Sequence, residues 1–211
     1  MSKVFEHDPE RIEKLSLEII SGKLMGRNID PRNEDIIKRV IHTTADFDYA
    51  DNLFFSEDAA KKGVEALKNK CTIVTDTEMA RSGINKKTLE SLGCTAACFM
   101  SDSAVAAEAK ERGVTRAWVS MERACGIEGD LIFAIGNAPT ALISIHELFT
   151  MGRLSPVLVI AVPVGFVNVV EAKELLIGSG VPVIAARGNK GGSTVAAAIV
   201  NALMYRITRK R

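Results

Sequence analysis

Short apolar runs, each followed by a stretch with helical spacing, dominate the last two thirds of the chain. The runs are rich in Val, Ile and Ala, and they are continuous rather than alternating; they cover residues 71–75, 94–100, 131–135, 157–162 and 181–186. Strands buried on both faces have this pattern, and alternation with helices is typical of a parallel sheet with right-handed crossovers. We therefore predict a single-domain α/β fold with a doubly wound, mostly parallel five-stranded sheet over residues 71–211.

The first seventy residues show helical patterning instead. Asp8-Pro9-Glu10 and Asp30-Pro31 each place an N-cap residue before a proline in the first turn, and apolar residues then recur at helical spacing. The second of these helices is expected to end near Thr44, and Ser56 is expected to cap a third. Residues 1–70 are thus predicted to form a helical N-terminal extension of the same domain.

Composition and charge exclude several classes of protein. The 27 basic and 26 acidic residues leave a net charge of +1, which gives no general argument for binding nucleic acid or a membrane surface. The longest apolar stretch, 154–170, contains two prolines and a glycine and falls short of the ~20 residues needed to cross a bilayer. The charged segment Met1–Glu6 lacks the apolar core of a signal peptide, so we expect a cytoplasmic protein.

The four cysteines, Cys71, Cys94, Cys98 and Cys125, do not form a recognised metal-binding motif. Cys94 and Cys98 fall within one predicted strand, where positions i and i+4 lie roughly 13 Å apart. That separation is too large for two ligands of one metal ion. We expect buried, reduced thiols and no metal site.

Polar or glycine-rich turns follow four of the predicted strands. They cover residues 75–79, 136–140, 163–167 and 187–193. The turns after parallel strands meet at one edge of an open sheet, and ligands bind there. Helix N-termini and glycine turns with free N–H groups, such as those of Asn137 or Ala138, suit an anionic ligand.

Two of these turns carry side chains that suggest what the ligand is like, although each has a second interpretation. Arg187 and Lys190 would favour a carboxylate or phosphate, or they are simply solvated cations beside a close turn. The spacing of glycines there matches neither a P-loop nor a dinucleotide fingerprint. Phe166 would offer an apolar face to a large flat ligand, or it packs under a neighbouring subunit.

His42 is the best candidate for acid–base chemistry among the three histidines. It lies at the end of the second predicted helix, with Arg39 three residues before it and Asp46 four residues after it. An imidazole titrating near neutral pH is a natural general acid or base, but a structural histidine at a helix end remains the alternative. His7 is expected to be solvated and His146 to be structural.

Several motifs together resemble the precorrin-8X methylmutase (precorrin isomerase) family. The most specific are Ala134-Ile-Gly-Asn-Ala-Pro-Thr-Ala-Leu142, Pro163-Val-Gly-Phe-Val167 and Arg187-Gly-x-x-Gly-Gly-Ser193. Ile12-x-x-x-Ser16, Arg39-Val-Ile-His42 and Asp76-x-Glu-Met79 also match. The matches keep their order from about residue 12 to about residue 200, and departures lie mainly in 47–70 and 113–129.

The resemblance implies an isomerase of corrin biosynthesis that moves a methyl group from C-11 to C-12 of precorrin-8X or cobalt-precorrin-8. The product would be hydrogenobyrinic acid or cobyrinic acid, made without a cofactor or a metal of the enzyme's own. His42 would be the general acid or base. Positions matching family substrate contacts, or lying in the four turns, are Ser16, Arg39, Asp76, Met79, Arg116, Gly136, Asn137, Gly165, Phe166, Arg187, Gly188, Gly191, Gly192 and Ser193.

The family also implies a homodimer that could hand its corrinoid product to the next enzyme of the pathway. Two other functions remain open on the residues alone. One is a non-catalytic tetrapyrrole carrier, which would share the pocket but not need His42. The other is a nucleotide-binding α/β enzyme that uses residues 187–193. The sequence does not indicate whether the substrate carries cobalt.

Overall fold

A computed structural model describes residues 5–209 of the protein. Residues 1–4 and 210–211 lie outside the described range, and so does most of the Met1–Glu6 segment that was examined for a signal peptide. Between residues 5 and 209 no helix is both long enough and apolar enough to cross a membrane.

The described residues form eleven helices and six strands. The helices are α1 Pro9–Leu24, α2 Glu34–Thr44, α3 Tyr49–Asn52, α4 Ala59–Lys68, α5 Glu78–Gly83, α6 Lys86–Ser91, α7 Ser103–Arg112, α8 Arg116–Ala124, α9 Pro139–Thr150, α10 Val169–Ile177 and α11 Ser193–Thr208. The strands are β1 Leu53–Phe55, β2 Thr72–Thr75, β3 Thr95–Ala97, β4 Leu131–Ile135, β5 Leu158–Ala161 and β6 Val183–Ala186.

The strands form one sheet in the order β1-β6-β5-β4-β2-β3. The parallel strands β2 to β6 confirm the prediction of a mostly parallel α/β sheet. The prediction of five strands was incomplete, because β1 adds an antiparallel edge strand with Leu53 opposite Ala186. This strand lies inside the region that was expected to be helical.

Ser56 belongs to this edge strand rather than to the helix that follows it. Its N–H donates to the Val183 carbonyl (2.9 Å), and its hydroxyl accepts from the Val183 N–H (2.8 Å). The residue directly before α4 is Asp58, which has a left-handed backbone and makes no side-chain cap bond. The prediction that Ser56 caps the third helix was therefore wrong, because the serine extends the pairing of β1 with β6.

Helices cover both faces of the sheet, which explains the continuous apolar strands. Within β4, Ile132 and Ala134 pack with α2, α4 and α11, whereas Leu131, Phe133 and Ile135 pack with α8, α9 and α10. A strand between two apolar layers has no face for polar residues.

Helices α2 and α11 run antiparallel along one face. Arg206, near the end of α11, donates to Asp35 at the start of α2 (2.7 Å) and to the Arg32 carbonyl (2.7 Å). Because α11 begins just after β6, its first turn lies at the carboxyl edge of the sheet. The last turn of α2, which carries His42, therefore also lies toward that edge.

The cysteines are partly as expected. All four are free thiols, and Cys71 and Cys94 are buried, but Cys98 and Cys125 are only half-buried. Burial raises the pKa of the Cys71 thiol. Among residues 5–209, no three His, Cys, Asp or Glu side chains gather into a group that could hold a metal ion.

Candidate functional site

The four predicted turns meet at the carboxyl edge of the sheet, as their positions after β2, β4, β5 and β6 require. The Thr77 and Ser193 hydroxyls are 2.8 Å apart and join the β2 turn to the start of α11. The Val164 N–H donates to the Gly136 carbonyl (3.3 Å), which joins the β5 and β4 turns. One continuous surface of turns results.

Asp76 ties the β2 turn to the β4 turn. Its side chain is fully buried, and it accepts hydrogen bonds from the N–H groups of Gly136 (2.9 Å), Asn137 (2.7 Å) and Ala138 (2.6 Å). Burial raises the pKa of Asp76, while these three donors oppose that effect. The expectation that the Asn137 and Ala138 N–H groups face a ligand was wrong, because the Asp76 carboxylate occupies them.

Two glycines allow the turns to approach each other closely. A Cβ atom on Gly136 would lie 2.7 Å from the Ser193 backbone N, and one on Gly191 would lie 2.1 Å from the Val162 carbonyl oxygen. Neither distance is compatible with a side chain. Gly188 and Gly192 have positive φ angles of 75° and 135°, which favour glycine. The glycines of the 187–193 turn are thus explained by packing and backbone conformation.

The cations of the β6 turn already have partners within the protein. Lys190 donates to the carboxylates of Asp46 and Asp48, both at 2.6 Å, and these bonds raise its pKa. Arg187 lies over the Phe54 ring at 5.0 Å and 3.5 Å from the Glu174 carboxylate. Lys190 is still 43% exposed, as one of its two interpretations expected, but its pairing with two carboxylates clamps the segment after α2.

A buried lysine that the sequence reasoning missed supports the same turn. Lys173 on α10 has no exposed surface, and its ammonium donates to the carbonyls of Gly188 (2.8 Å) and Lys190 (2.9 Å). Burial lowers the pKa of Lys173 to about 8. One signal could have found it, since it lies in the buried helical stripe formed by Val169, Ala172 and Leu176.

His42 and Ser16 line one cleft between α1 and α2. The cleft has a volume of about 250 Å³, and its walls are mostly apolar, formed by Ile19, Ile20, Lys23, Ile41, Ala45 and Phe47. The bond from Lys190 to Asp46 attaches the end of α2 to the β6 turn. The cleft is thereby connected to the carboxyl edge, although it lies beside the turns and not between them.

Arg39 does not share this cleft, although it precedes His42 by three residues. It donates to Glu13 (2.6 Å), lies over the Tyr205 ring at 5.3 Å, and lines a separate cleft of about 330 Å³ with Leu17. Arg39 and His42 both meet α1, where Arg39 pairs with Glu13 and His42 shares a cleft with Ser16, but the guanidinium lines a cleft of its own.

The remaining predicted residues at the edge are accessible. Arg116 begins α8 and donates to the Met100 carbonyl (3.1 Å), just beyond β3. Met79 and Phe166 are 67% and 90% exposed. Gly165 turns the chain with φ 148°, and the hydroxyls of the neighbouring helix starts at Thr115 and Thr140 are 2.8 Å apart.

Fold and site together define an α/β protein whose ligand site lies at the carboxyl edge of a mostly parallel sheet. The edge combines apolar exposed side chains, an arginine on each flank and an adjacent histidine cleft. This arrangement suits a large ligand with an apolar face and anionic groups at its rim.

Comparison with known proteins identifies the family. The model of the family described as Precorrin-8X methylmutase matches residues 11–206. Cobalt-precorrin-8 methylmutase of Salmonella typhimurium is 46% identical over 207 residues, which cover 94% of this chain and 96% of that protein. Precorrin-8X methylmutase of Pseudomonas aeruginosa is 36% identical and covers 93% and 95%.

A solved structure agrees. The precorrin-8X methyl mutase of Thermus thermophilus superimposes with a TM-score of 0.86 at 35% identity, over 92% of this chain and 94% of that one. The chain belongs to the precorrin-8X methylmutase family, and it is an isomerase of cobalamin biosynthesis.

Proposed function

We propose that this protein moves a methyl group from C-11 to C-12 of precorrin-8X or cobalt-precorrin-8, giving hydrogenobyrinic acid or cobyrinic acid. The observation that carries the proposal is the match of nearly the whole chain to a methylmutase family, in a fold that places His42 beside the carboxyl edge. A methyl shift is an isomerisation, so the reaction needs no group donor and no net proton.

His42 is the general acid of this proposal. Protonation of the macrocycle by the imidazole would polarise the conjugated ring and lower the barrier to migration, and the same nitrogen would take the proton back afterwards. Acid help of this kind typically supplies ~10²–10⁴-fold. The apolar walls of the cleft and Ser16 support this role, because they would hold the ring against the imidazole.

The turns of the carboxyl edge hold the substrate in this proposal. Met79 and Phe166 would contact the face of the macrocycle, while Arg116 and Arg187 would meet carboxylates at its rim. The N–H groups of Gly188 and Ser193 would add further donors, whereas the Gly192 N–H already donates to the Val162 carbonyl (2.8 Å). Asp76, Gly136, Asn137 and Gly191 would shape the edge through their contacts with each other, and Arg39 would act from the neighbouring cleft.

A homodimer would complete the site. Val167 is 77% exposed next to Phe166, and Ile19 is 61% exposed in the His42 cleft. Adjacent exposed apolar residues such as Phe166 and Val167 are typical of interaction surfaces. We propose that a second copy covers them, that the protein works in the cytoplasm, and that it hands its product to the next enzyme of the pathway.

The test replaces His42 with alanine and follows conversion of the substrate by the change in its absorbance. Turnover by H42A is expected to fall at least about 100-fold, while binding of the corrinoid persists. The matched control is H146A, which removes a half-buried histidine of α9. Undiminished turnover in H42A would remove His42 from the mechanism. Wild-type protein that binds corrinoids without isomerising them would instead be a tetrapyrrole carrier. Thermal stabilisation by nucleotides but not by corrinoids would indicate the nucleotide-binding alternative.

A further inference from the structure

The buried ammonium of Lys173 lies directly behind the β6 turn. It approaches from α10 and donates hydrogen bonds to the carbonyls of Gly188 and Lys190, the residues on either side of Asn189. Asn189 is bonded to the β5 turn. Its side-chain amide donates to the Gly165 carbonyl (2.7 Å), and its backbone carbonyl accepts from the Gly165 N–H (3.1 Å). The three residues at the tip of the turn are thus fixed one after another.

Hydrogen bonds connect the β6 turn to the end of α2. The Lys190 side chain reaches Asp46 and Asp48, and Asp46 in turn accepts a bond from the Asp48 N–H (3.0 Å). The Asp46 N–H donates to the Thr44 hydroxyl (3.2 Å), two residues beyond His42. A chain of hydrogen bonds therefore runs from Lys173 through Lys190 and Asp46 to the helix end that carries the histidine.

A lysine is required at this position by the groups around it. Two inward-facing carbonyls in an otherwise packed region need donors, and a buried ammonium on a long stem can supply both. An apolar side chain of the same length would leave both carbonyls without a partner, so the tip would have to rearrange. The two hydrogen bonds to the turn offset part of the free-energy cost of burying the Lys173 charge.

We propose that Lys173 is a positioning residue of the isomerase: it holds the 188–190 tip so that Lys190 clamps the segment after His42. It touches neither the substrate nor His42. The proposal rests on the proposed function of the site, in which the β6 turn meets the substrate and His42 moves the proton.

The first experiment compares K173M with wild type at a temperature well below the melting point of each. Misplacement of reacting groups by about an ångström typically costs ~10²-fold, so kcat/KM is expected to fall about 10- to 100-fold. K190M should show a similar loss, and the K173M/K190M double variant little more than the larger single loss, because both act through one turn. K173R or K173Q, which keep N–H donors, should recover part of the activity. K68M, at an exposed lysine on α4, is the matched control.

The second experiment needs no substrate. Hydrogen exchange is expected to be at least about tenfold faster in K173M for amides of residues 187–192 and 44–48, but unchanged in α4. Equal acceleration throughout the chain, or wild-type kcat/KM in K173M, would overturn the proposal and leave Lys173 as a stabilising residue. If K173M does not fold, K173Q and K190M are measured instead, and the losses in K173Q are expected to lie between those of wild type and K190M. Wild-type kcat/KM and wild-type exchange in K173Q would then overturn the proposal. Wild-type protein without isomerase activity would reject the proposed function, yet the exchange data would still decide whether Lys173 holds the turn.

Discussion

At the scale of single residues, the two buried charges near the carboxyl edge both serve the backbone. Asp76 accepts from three consecutive N–H groups, and Lys173 donates to two carbonyls of another turn. Neither charge is free to meet a substrate. The edge therefore owes its shape to buried ionisable groups, which couples the stability of the protein to pH.

Lys173 provides a measurable pH dependence. Its pKa is lowered from 10.5 to about 8 in the folded protein. Between these values the unfolded chain binds more protons at this lysine than the folded protein does, so this group makes stability rise with pH. Below about pH 8 the lysine is charged in both states, and the full cost of burying the charge is present.

We expect the free energy of unfolding of wild type, relative to K173M, to rise between pH 8 and 10.5 by at most about 3.4 kcal/mol, since each pKa unit corresponds to about 1.36 kcal/mol. Urea unfolding of both proteins at several pH values in this window measures the difference. Taking the difference cancels the titration of other groups, such as tyrosines. Parallel curves for the two proteins would contradict the assigned shift.

Gly191 is the residue where a single methyl group should do most harm. An added Cβ atom would lie 2.1 Å from the Val162 carbonyl oxygen, which belongs to backbone and cannot move alone. We expect G191A to lose about 2–4 kcal/mol of stability. In G22A, on exposed α1, nothing lies within 4 Å of the new atom, and a gain of about 0.5–1 kcal/mol is expected. Thermal unfolding of G191A, G22A and wild type measures both changes in stability. Equal stabilities of the two variants would contradict the close contact at Gly191.

At the scale of elements, the sequence predicted well what depends on local pattern. All five parallel strands were predicted in the right order and place, because each is an apolar run between turn residues. The strand predicted at 94–100 is shorter than expected, since β3 covers only Thr95–Ala97 and Cys94 and Cys98 flank it. The edge strand β1 was missed, because three residues are too few to show a period and because its partner lies 127 positions away, as the Ser56–Val183 bond shows. Long-range pairing of this kind leaves no mark on the local sequence.

The same limit applies to the site. The sequence predicted which turns meet, since that follows from the order of strands and helices. It did not reveal that Asp76 occupies the N–H groups of the β4 turn or that Lys190 pairs with Asp46. Both depend on which side chains face each other after folding. His42 and Ser16 were singled out separately through the resemblance to the family, and their roles stay predictions. That they line one cleft follows from the packing of α1 against α2, which the sequence did not reveal.

The antiparallel pair of α2 and α11 yields a prediction of its own. Arg206 is largely buried and joins Asp35 and the Arg32 carbonyl, so R206M is expected to cost about 1–2 kcal/mol. The exposed pair of Arg11 and Glu6 is the control, and R11M should change stability by less than about 0.5 kcal/mol. Chemical unfolding measures both. A loss in R206M no larger than that in R11M would show that the pair does not hold the helices together.

At the scale of the whole molecule, the exposed apolar groups of the carboxyl edge predict self-association. If a second copy covers Val167, then V167D should raise the dimer dissociation constant at least about tenfold, because a carboxylate would be buried there without a partner. M151D places the same charge at an exposed methionine at the far end of α9 and should have no effect. Sedimentation equilibrium distinguishes the two, and a wild-type monomer at all concentrations would end the dimer proposal.

The pairing of β1 with β6 has a consequence for how the protein is made. At about 5–20 residues per second, a ribosome needs roughly 6–25 s to travel the 127 residues that separate Ser56 from Val183. During that interval β1 lacks its partner β6, and α2 lacks the helix α11 that packs against it. A nascent chain therefore exposes the unpaired backbone groups of β1 until β6 has emerged, and such strand edges favour aggregation. Cells that make this protein quickly should rely on chaperones that cover N-terminal segments, and a chain truncated before β6 should aggregate instead of folding in part.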